Sequence, residues 1–210
     1  MTAQEVATTA VKSSITLRGS AEMVGEFFYF GINSILFQRG VYHAESFKKV
    51  QKYGLTVLVT KDCKLDKFFK PLLDQIRIWL IKKQIRKLVM VIVSVQTKET
   101  LERWEFDIET DDDITEEGTV TCREKSQKII QNEIRDVIRQ ITASVTFLPL
   151  LEELCSFDIL IYAKKDSETP EGWGLVDAHH VKNCQVVKLN SFSTNVHKVE
   201  MRVSYKNYDS

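Results

Sequence analysis

Chemistry in this chain would have to come from a few histidines and cysteines. His179 and His180 stand shortly before Cys184 and could together supply three metal ligands. A closed metal site needs a fourth ligand and outer partners that orient the imidazoles. Cys184 with His197 could form the thiol and base of a hydrolase, provided a third group orients the ring. Neither set shows its missing partner in the sequence, so surface histidines and a packed thiol are the simpler expectation. Phosphate and dinucleotide fingerprints fail as well. There is no Gly-x-x-x-x-Gly-Lys, and Gly172-Trp-Gly174 is followed by Asp177 where a third glycine belongs. Neither Gly-x-Ser-x-Gly nor His-Glu-x-x-His occurs. The acidic run from Asp107 to Glu117 lacks the ligand spacing and turn glycine of a calcium loop and reads as a solvated loop. No catalytic, cofactor-binding or metal residue is assigned, and the chain is expected not to be an enzyme.

Composition narrows the remaining classes. Lys and Arg number 29 and Asp and Glu 29, so the chain lacks the basic excess of a nucleic acid binder that ignores sequence. The basic cluster Lys82, Lys83, Arg86 and Lys87 suits a helix C-terminus better than a phosphate patch. The longest apolar run, Leu88 to Val93, is far short of the roughly 20 residues that cross a bilayer, so no membrane partner is expected. The first residues lack a basic cluster followed by an apolar core, and no leader is expected. Cys63, Cys122, Cys155 and Cys184 form no Cys-x-x-Cys pair and read as reduced thiols of a cytosolic or nuclear protein.

The elements follow from periodicity. Residues 1–14 have no period and read as a loose arm. Val24, Phe27, Phe28, Gly31, Ile35 and Leu36 share one helical face between Ser20 and Arg39, with Gly40 as a left-handed stop. Phe30, Ile32 and Phe37 lie off that face, so this helix is apolar nearly all round and belongs at the centre of the domain. Val50 to Thr60 reads as a strand or a hairpin bent at Gly54. A second helix covers about Leu65 to Lys83, and Pro71 predicts either a start near Lys70 or a kink. Lys87–Val95 and Leu101–Ile108 form a hairpin, with Trp104, Phe106 and Ile108 inward. Thr121 to Glu124 has capping-box spacing and precedes a third helix lined by Ile130, Ile134, Val137, Ile138, Ile141 and Val145. Ser156–Tyr162 is a strand, Lys164–Gly174 a loop, and 185–206 strand again. The class is therefore α+β, three helices on an antiparallel sheet with a long β-rich C-terminal arm. If Ser156–Tyr162 lies at the sheet edge, its backbone groups need a partner. The arm could cover that edge, and a foreign extended peptide could replace it. Pattern alone favours a fixed C-terminal hairpin.

Several segments resemble one known family: Ile15–Glu22, Phe30–Leu36, Val50–Thr56, Leu101–Glu109, Arg123–Lys128, Ile138–Ala143, Val145–Glu152 and Ser156–Tyr162, with His197–Val199 in the arm. The chain is similar over about 15–206 to the HORMA-domain family, and within it to the spindle assembly checkpoint branch. The resemblance implies a HORMA fold in one domain: a flexible arm at 1–14, a core at 15–163 and a mobile safety belt at 164–210. It implies open and closed states, the belt of the closed state wrapping a peptide added beside Phe157, Ile159, Ile161 and Tyr162. Trp79 matches a position near peptide and belt. Arg139, Gln140 and Phe147 match a dimer interface, and Leu17 and Val199 positions that bias open against closed. Read as pattern, Arg139 and Gln140 lie on a solvated helix face, and Phe147, Leu17 and Val199 are ordinary core. Implied partners are peptides of a kinetochore coiled-coil receptor and of the anaphase-promoting-complex co-activator, a second copy in the opposite state, a checkpoint kinase-like protein, and an AAA+ remodeller with its HORMA adaptor. No cofactor is implied. Implied locations are nucleus, cytoplasm, mitotic kinetochore and spindle pole. Within the family the rival is an adaptor of a DNA-repair polymerase; outside it, the thiol hydrolase built on Cys184 and His197. Pro71, the acidic loop, the arm before Ile15 and Lys206–Ser210 depart from the family pattern.

Overall fold

A computed structural model describes residues 15–111 and 125–207 of the chain. Helix α1 spans Leu17–Gln38, opened by Thr16, whose hydroxyl accepts from the Gly19 amide. It closes at Gly40, whose φ of 64° lets its amide reach the Phe37 carbonyl while the Val41 amide reaches that of Leu36. As its all-round apolarity requires, α1 is central, and Val24, Phe27, Phe28, Ile32, Ile35 and Leu36 are essentially inaccessible. Helix α2 spans Cys63–Ile81 behind the cap residue Asp62 and runs through Pro71 rather than starting after it. Where α1 crosses α2, a methyl at Gly25 would lie 2.9 Å from Arg77 Nε, so any larger residue there would force the Arg77 side chain to shift. Helix α3 spans Gln127–Ala143 and is capped by Ser126, whose hydroxyl accepts from Ile129. The expected capping box at Thr121–Glu124 lies outside the described residues, as do 1–14 and most of the acidic run.

Strands β1 (Phe47–Lys52) and β2 (Leu55–Thr60) form a two-stranded hairpin. Its turn residues Tyr53 and Gly54 both have positive φ, as a two-residue turn of matching twist demands. The main sheet contains β3 (Ile85–Ser94), β4 (Thr100–Thr110), β5 (Cys155–Ala163), β6 (Cys184–Lys188), β7 (Phe192–Ser193) and β8 (His197–Lys206). The order is β5-β3-β4-β8-β6, with β7 on β8, and every pairing is antiparallel. Glu109 and Thr110, expected in a solvated loop, instead complete β4 beside β8. One face of the sheet packs Leu88, Met90, Ile92, Trp104, Phe106 and Ile108 on the helices; the other carries Val89, Val91 and Leu160. Aromatic edges lock α1 to that sheet: Phe28 meets Phe106 at 5.5 Å and Phe27 meets Phe192 at 4.7 Å. Beneath them, buried Arg39 Nε donates to Glu102 Oε1 at 2.7 Å, and Trp104 Nε1 donates to Glu102 Oε2 at 2.9 Å. Removing one partner of such a pair costs about 3–5 kcal/mol.

The C-terminal strands lie at the sheet edge away from β5. Their register is well specified, because Val199, Met201 and Val203 enter the core. His197, the first residue of β8, is fully buried. Its Nδ1 accepts from the Ser20 hydroxyl of α1 at 2.6 Å, and Nε2 lies 3.3 Å from the Leu80 carbonyl at the end of α2. The neutral Nε2–H tautomer satisfies both. Burial pushes this imidazole down to about 4, against the pull of the Leu80 carbonyl and with help from the Lys83 charge. The unfolded chain therefore takes up a proton below about pH 6.5 that the folded chain refuses until about pH 4. Stability is full above pH 6.5 and falls across that window by about 3 kcal/mol on this account. Denaturant melts at pH 6.5 and 4 should show a loss in the wild type that His197→Asn lacks; equal losses would remove His197 from the explanation.

Candidate functional site

Strand β5 has a neighbour, β3, along one edge; among the described residues no strand pairs with its other edge. That edge borders a channel of ≈ 510 Å³. Lys67, Phe68, Pro71 and Leu72 of α2 form one wall, Asp158, Ile159, Leu160 and Ile161 of β5 the floor, and Gly172, Trp173, Gly174 and Val176 the roof. The roof belongs to the connection 164–183. It leaves β5 with the Lys164 amide on the Gln84 carbonyl. Trp173 then meets Trp79 edge-on, with ring centroids 5.3 Å apart at 85°. Gly172, with φ 83°, supplies the left-handed step just before Trp173. The connection finally crosses the outer sheet face, where Arg103 Nε donates to the Ala178 carbonyl, and reaches β6 at the opposite edge. The channel is thus fenced by helix, strand and crossing segment.

A strand edge offers backbone donors and acceptors in a fixed repeat, which is what an added extended chain requires. Asp158 already meets part of that demand: its Oδ1 accepts from the Ile159 amide at 2.7 Å. Ile159 and Ile161 line the channel. Phe157 stands at its end in an aromatic cluster with Tyr42, Phe68 and Phe69. Tyr162 does not line it; its side chain is on the outer face, where its hydroxyl accepts from Arg103 Nη2 at 3.2 Å. The thiol hydrolase has no geometry. Cys184 pairs with Lys206 and His197 with Thr110, at opposite ends of β8, so about 30 Å of strand separates them. Among the described residues no three His, Cys, Asp or Glu side chains come together as metal ligands.

A family model described as the HORMA domain matches residues 20–204. The chain belongs to the HORMA-domain family. The mitotic spindle assembly checkpoint protein MAD2A of Mus musculus is 56% identical to it over 197 residues, 94% of this chain and 95% of that protein. MAD2A of Homo sapiens is 55% identical over 195 residues, 93% and 94% of the two chains. A chain in the crystal structure of the mitotic checkpoint complex superposes with a TM-score of 0.82 at 43% identity, covering 90% of this chain and 99% of that one. C. elegans HTP-2 bound to a HIM-3 closure motif superposes at 0.74 with 14% identity over 92% and 93%, a likeness of fold alone. This HORMA protein is accordingly a spindle assembly checkpoint protein, a non-enzymatic adaptor with a mitotic role. The relatives favour neither a repair-polymerase adaptor nor a hydrolase.

The remaining expected residues of the HORMA chain fall at separate places. Trp79 is almost fully buried beneath Trp173. Arg139 is exposed on α3 and lies 3.7 Å from Asp136, while Gln140 Oε1 accepts the Asn190 amide at 2.6 Å. Phe147 is not core: it is 40% exposed just beyond α3. Leu17 packs on Val196, and Val199 stands opposite Ile108 and Phe192, all buried. Sequence reasoning missed Trp173, Phe68 and Asp158. The signal for Trp173 was present, a large aromatic between two glycines in a polar loop, where a side chain with no local core to enter points to binding. If Asp158 satisfies the outward Ile159 amide, Asp158→Ala should speed hydrogen exchange of that amide about tenfold while its β5 neighbours hold. An unchanged rate would mean that the amide bonds inward to β3.

Proposed function

We propose that this checkpoint adaptor captures an extended peptide beside β5 and encloses it under residues 164–183, and that the peptide comes from the anaphase-promoting-complex co-activator or from the kinetochore coiled-coil receptor. The observation that carries the reading is the edge of β5, unpaired among the described residues, beneath a roof that ends in a strand at the opposite side of the sheet. In the terms the family supplies, this arrangement is the closed state, residues 15–163 are the core and 164–210 the belt. The open state would place the arm on the β5 edge instead, and passage between the states would break many backbone bonds before making others. Holding the co-activator delays anaphase. Ile159 and Ile161 take alternate side chains of the peptide, Phe157 and Phe68 receive an apolar residue at one end, and Trp79 supports the roof through Trp173. Arg139, Gln140 and Phe147 form the surface for a second copy in the opposite state, and Leu17 and Val199 weight the two states by packing in one of them. The protein works in nucleus and cytoplasm and at mitotic kinetochores, extending to the spindle pole.

A labelled synthetic co-activator peptide tests the reading. It should bind slowly, dissociate slowly, and protect the amides of residues 156–162 from exchange. Deleting the last ten residues removes most of β8 and its bonds to β4 and β6, so it should abolish capture. Retained tight binding by the truncated chain would contradict the enclosure. Arg139→Glu should weaken self-association on gel filtration by about tenfold and leave peptide binding unchanged, since Arg139 is exposed and away from the channel; an equal loss of both would place the residue elsewhere in the mechanism.

A further inference from the structure

The segment between β5 and β6 has, among the described residues, no strand partner until β6. Among the described residues, the hydrogen bonds tying 165–179 to the sheet come from two β4 side chains. Thr100 Oγ1 lies 3.5 Å from His179 Nδ1, the outer limit of such a bond. Arg103 is better placed. Its side chain is 7% exposed and its three nitrogens go three ways. Nε donates to the Ala178 carbonyl at 3.2 Å, Nη2 donates to the Tyr162 hydroxyl at 3.2 Å, and Nη1 pairs with Glu105. Tyr162 is near the end of β5, so one guanidinium joins the crossing segment to the sheet and to the strand that borders the channel.

Charge balance alone does not explain this placement. Although burial opposes it, Arg202, Lys87 and Arg103 hold the Glu105 carboxyl down to about 2. Lys87 Nζ donates to Glu105 at 2.8 Å and Arg202 Nη2 at 2.6 Å, so Glu105 keeps two cations without Arg103. What Arg103 adds is a rigid fork whose other donors reach across to Ala178 and Tyr162, which an ammonium cannot do at once.

We propose that Arg103 is the latch that fastens the crossing segment over the channel and sets how long an occupant stays. The proposal rests on the capture reading. An enclosed chain leaves when the segment lifts, and lifting breaks the bonds to Ala178 and Tyr162, so the latch acts on the dissociation rate rather than on encounter.

Arg103→Lys keeps a charge beside Glu105 and removes the fork, whereas Tyr162→Phe removes one arm. Release of a fluorescein-labelled co-activator peptide is followed after adding excess unlabelled peptide, and hydrogen exchange is read residue by residue in the free proteins. Arg103→Lys should release the peptide about tenfold faster and Tyr162→Phe about threefold faster, with association rates within twofold of wild type. Exchange should rise within 170–179 and stay unchanged in α1. Release rates within twofold of wild type together with unchanged exchange in 170–179 would overturn the latch. If the wild type binds no such peptide, the capture reading fails instead, and exchange in 170–179 of Arg103→Lys alone decides whether Arg103 fastens the segment. Should Arg103→Lys fail to fold, the release rate of Tyr162→Phe decides.

Discussion

A strand with one neighbour leaves every second amide and carbonyl facing outward, and the architecture is arranged around that debt on β5. The chain had two ways to settle it. Its last strands could have paired with β5, or they could have paired with β4 and left β5 open. Here they pair with β4, over nine register positions from Glu102 to Thr110. That choice is what turns residues 164–183 from a simple connection into a roof, because the chain must travel from one end of the sheet to the other. The channel, the Trp79–Trp173 contact and the Arg103 crossing all follow from it.

Burial makes the arrangement specific. The inward face of β8 is anchored by Val199, Met201 and Val203, and its first residue is held between α1 and α2. A one-residue slip would drive Lys198, Glu200 and Arg202 into the core in their place. The same three polar side chains, left outside, pair with Glu109, Lys188 and Glu105. The pairs with Glu109 and Lys188 are exposed and contribute little individually, whereas Arg202 meets a buried carboxylate at Glu105; the buried imidazole and the valines set the register.

Much of this was legible in the residues. All-round apolarity put α1 at the centre, an unbroken apolar run gave β3, alternation gave β4 and β8, and the left-handed stop at Gly40 was correct to the residue. Local pattern could not say which edge the arm takes, because sheet order is decided by residues far apart in sequence. It also misjudged single side chains whose surroundings are tertiary. His197 reads as a surface histidine until Ser20 and Leu80 close over it, and Phe147 reads as core until the turn after α3 carries it outward. Arg103 looks like the polar side of an alternating strand, and nothing in its neighbours reveals the chain lying across it. Pro71 warned of a broken helix; α2 continues through it and presents the proline to the channel.

The sheet ends at its other side in β6, five residues long, with an exposed Lys188 at its tip. A short border with a lysine on it is a poor template for further pairing. Filament growth needs two receptive rims on each molecule, one to give and one to take. Among the described residues the main sheet has one long uncovered rim, at β5, so a chance pairing of two copies through it leaves that sheet no second such rim from which to grow.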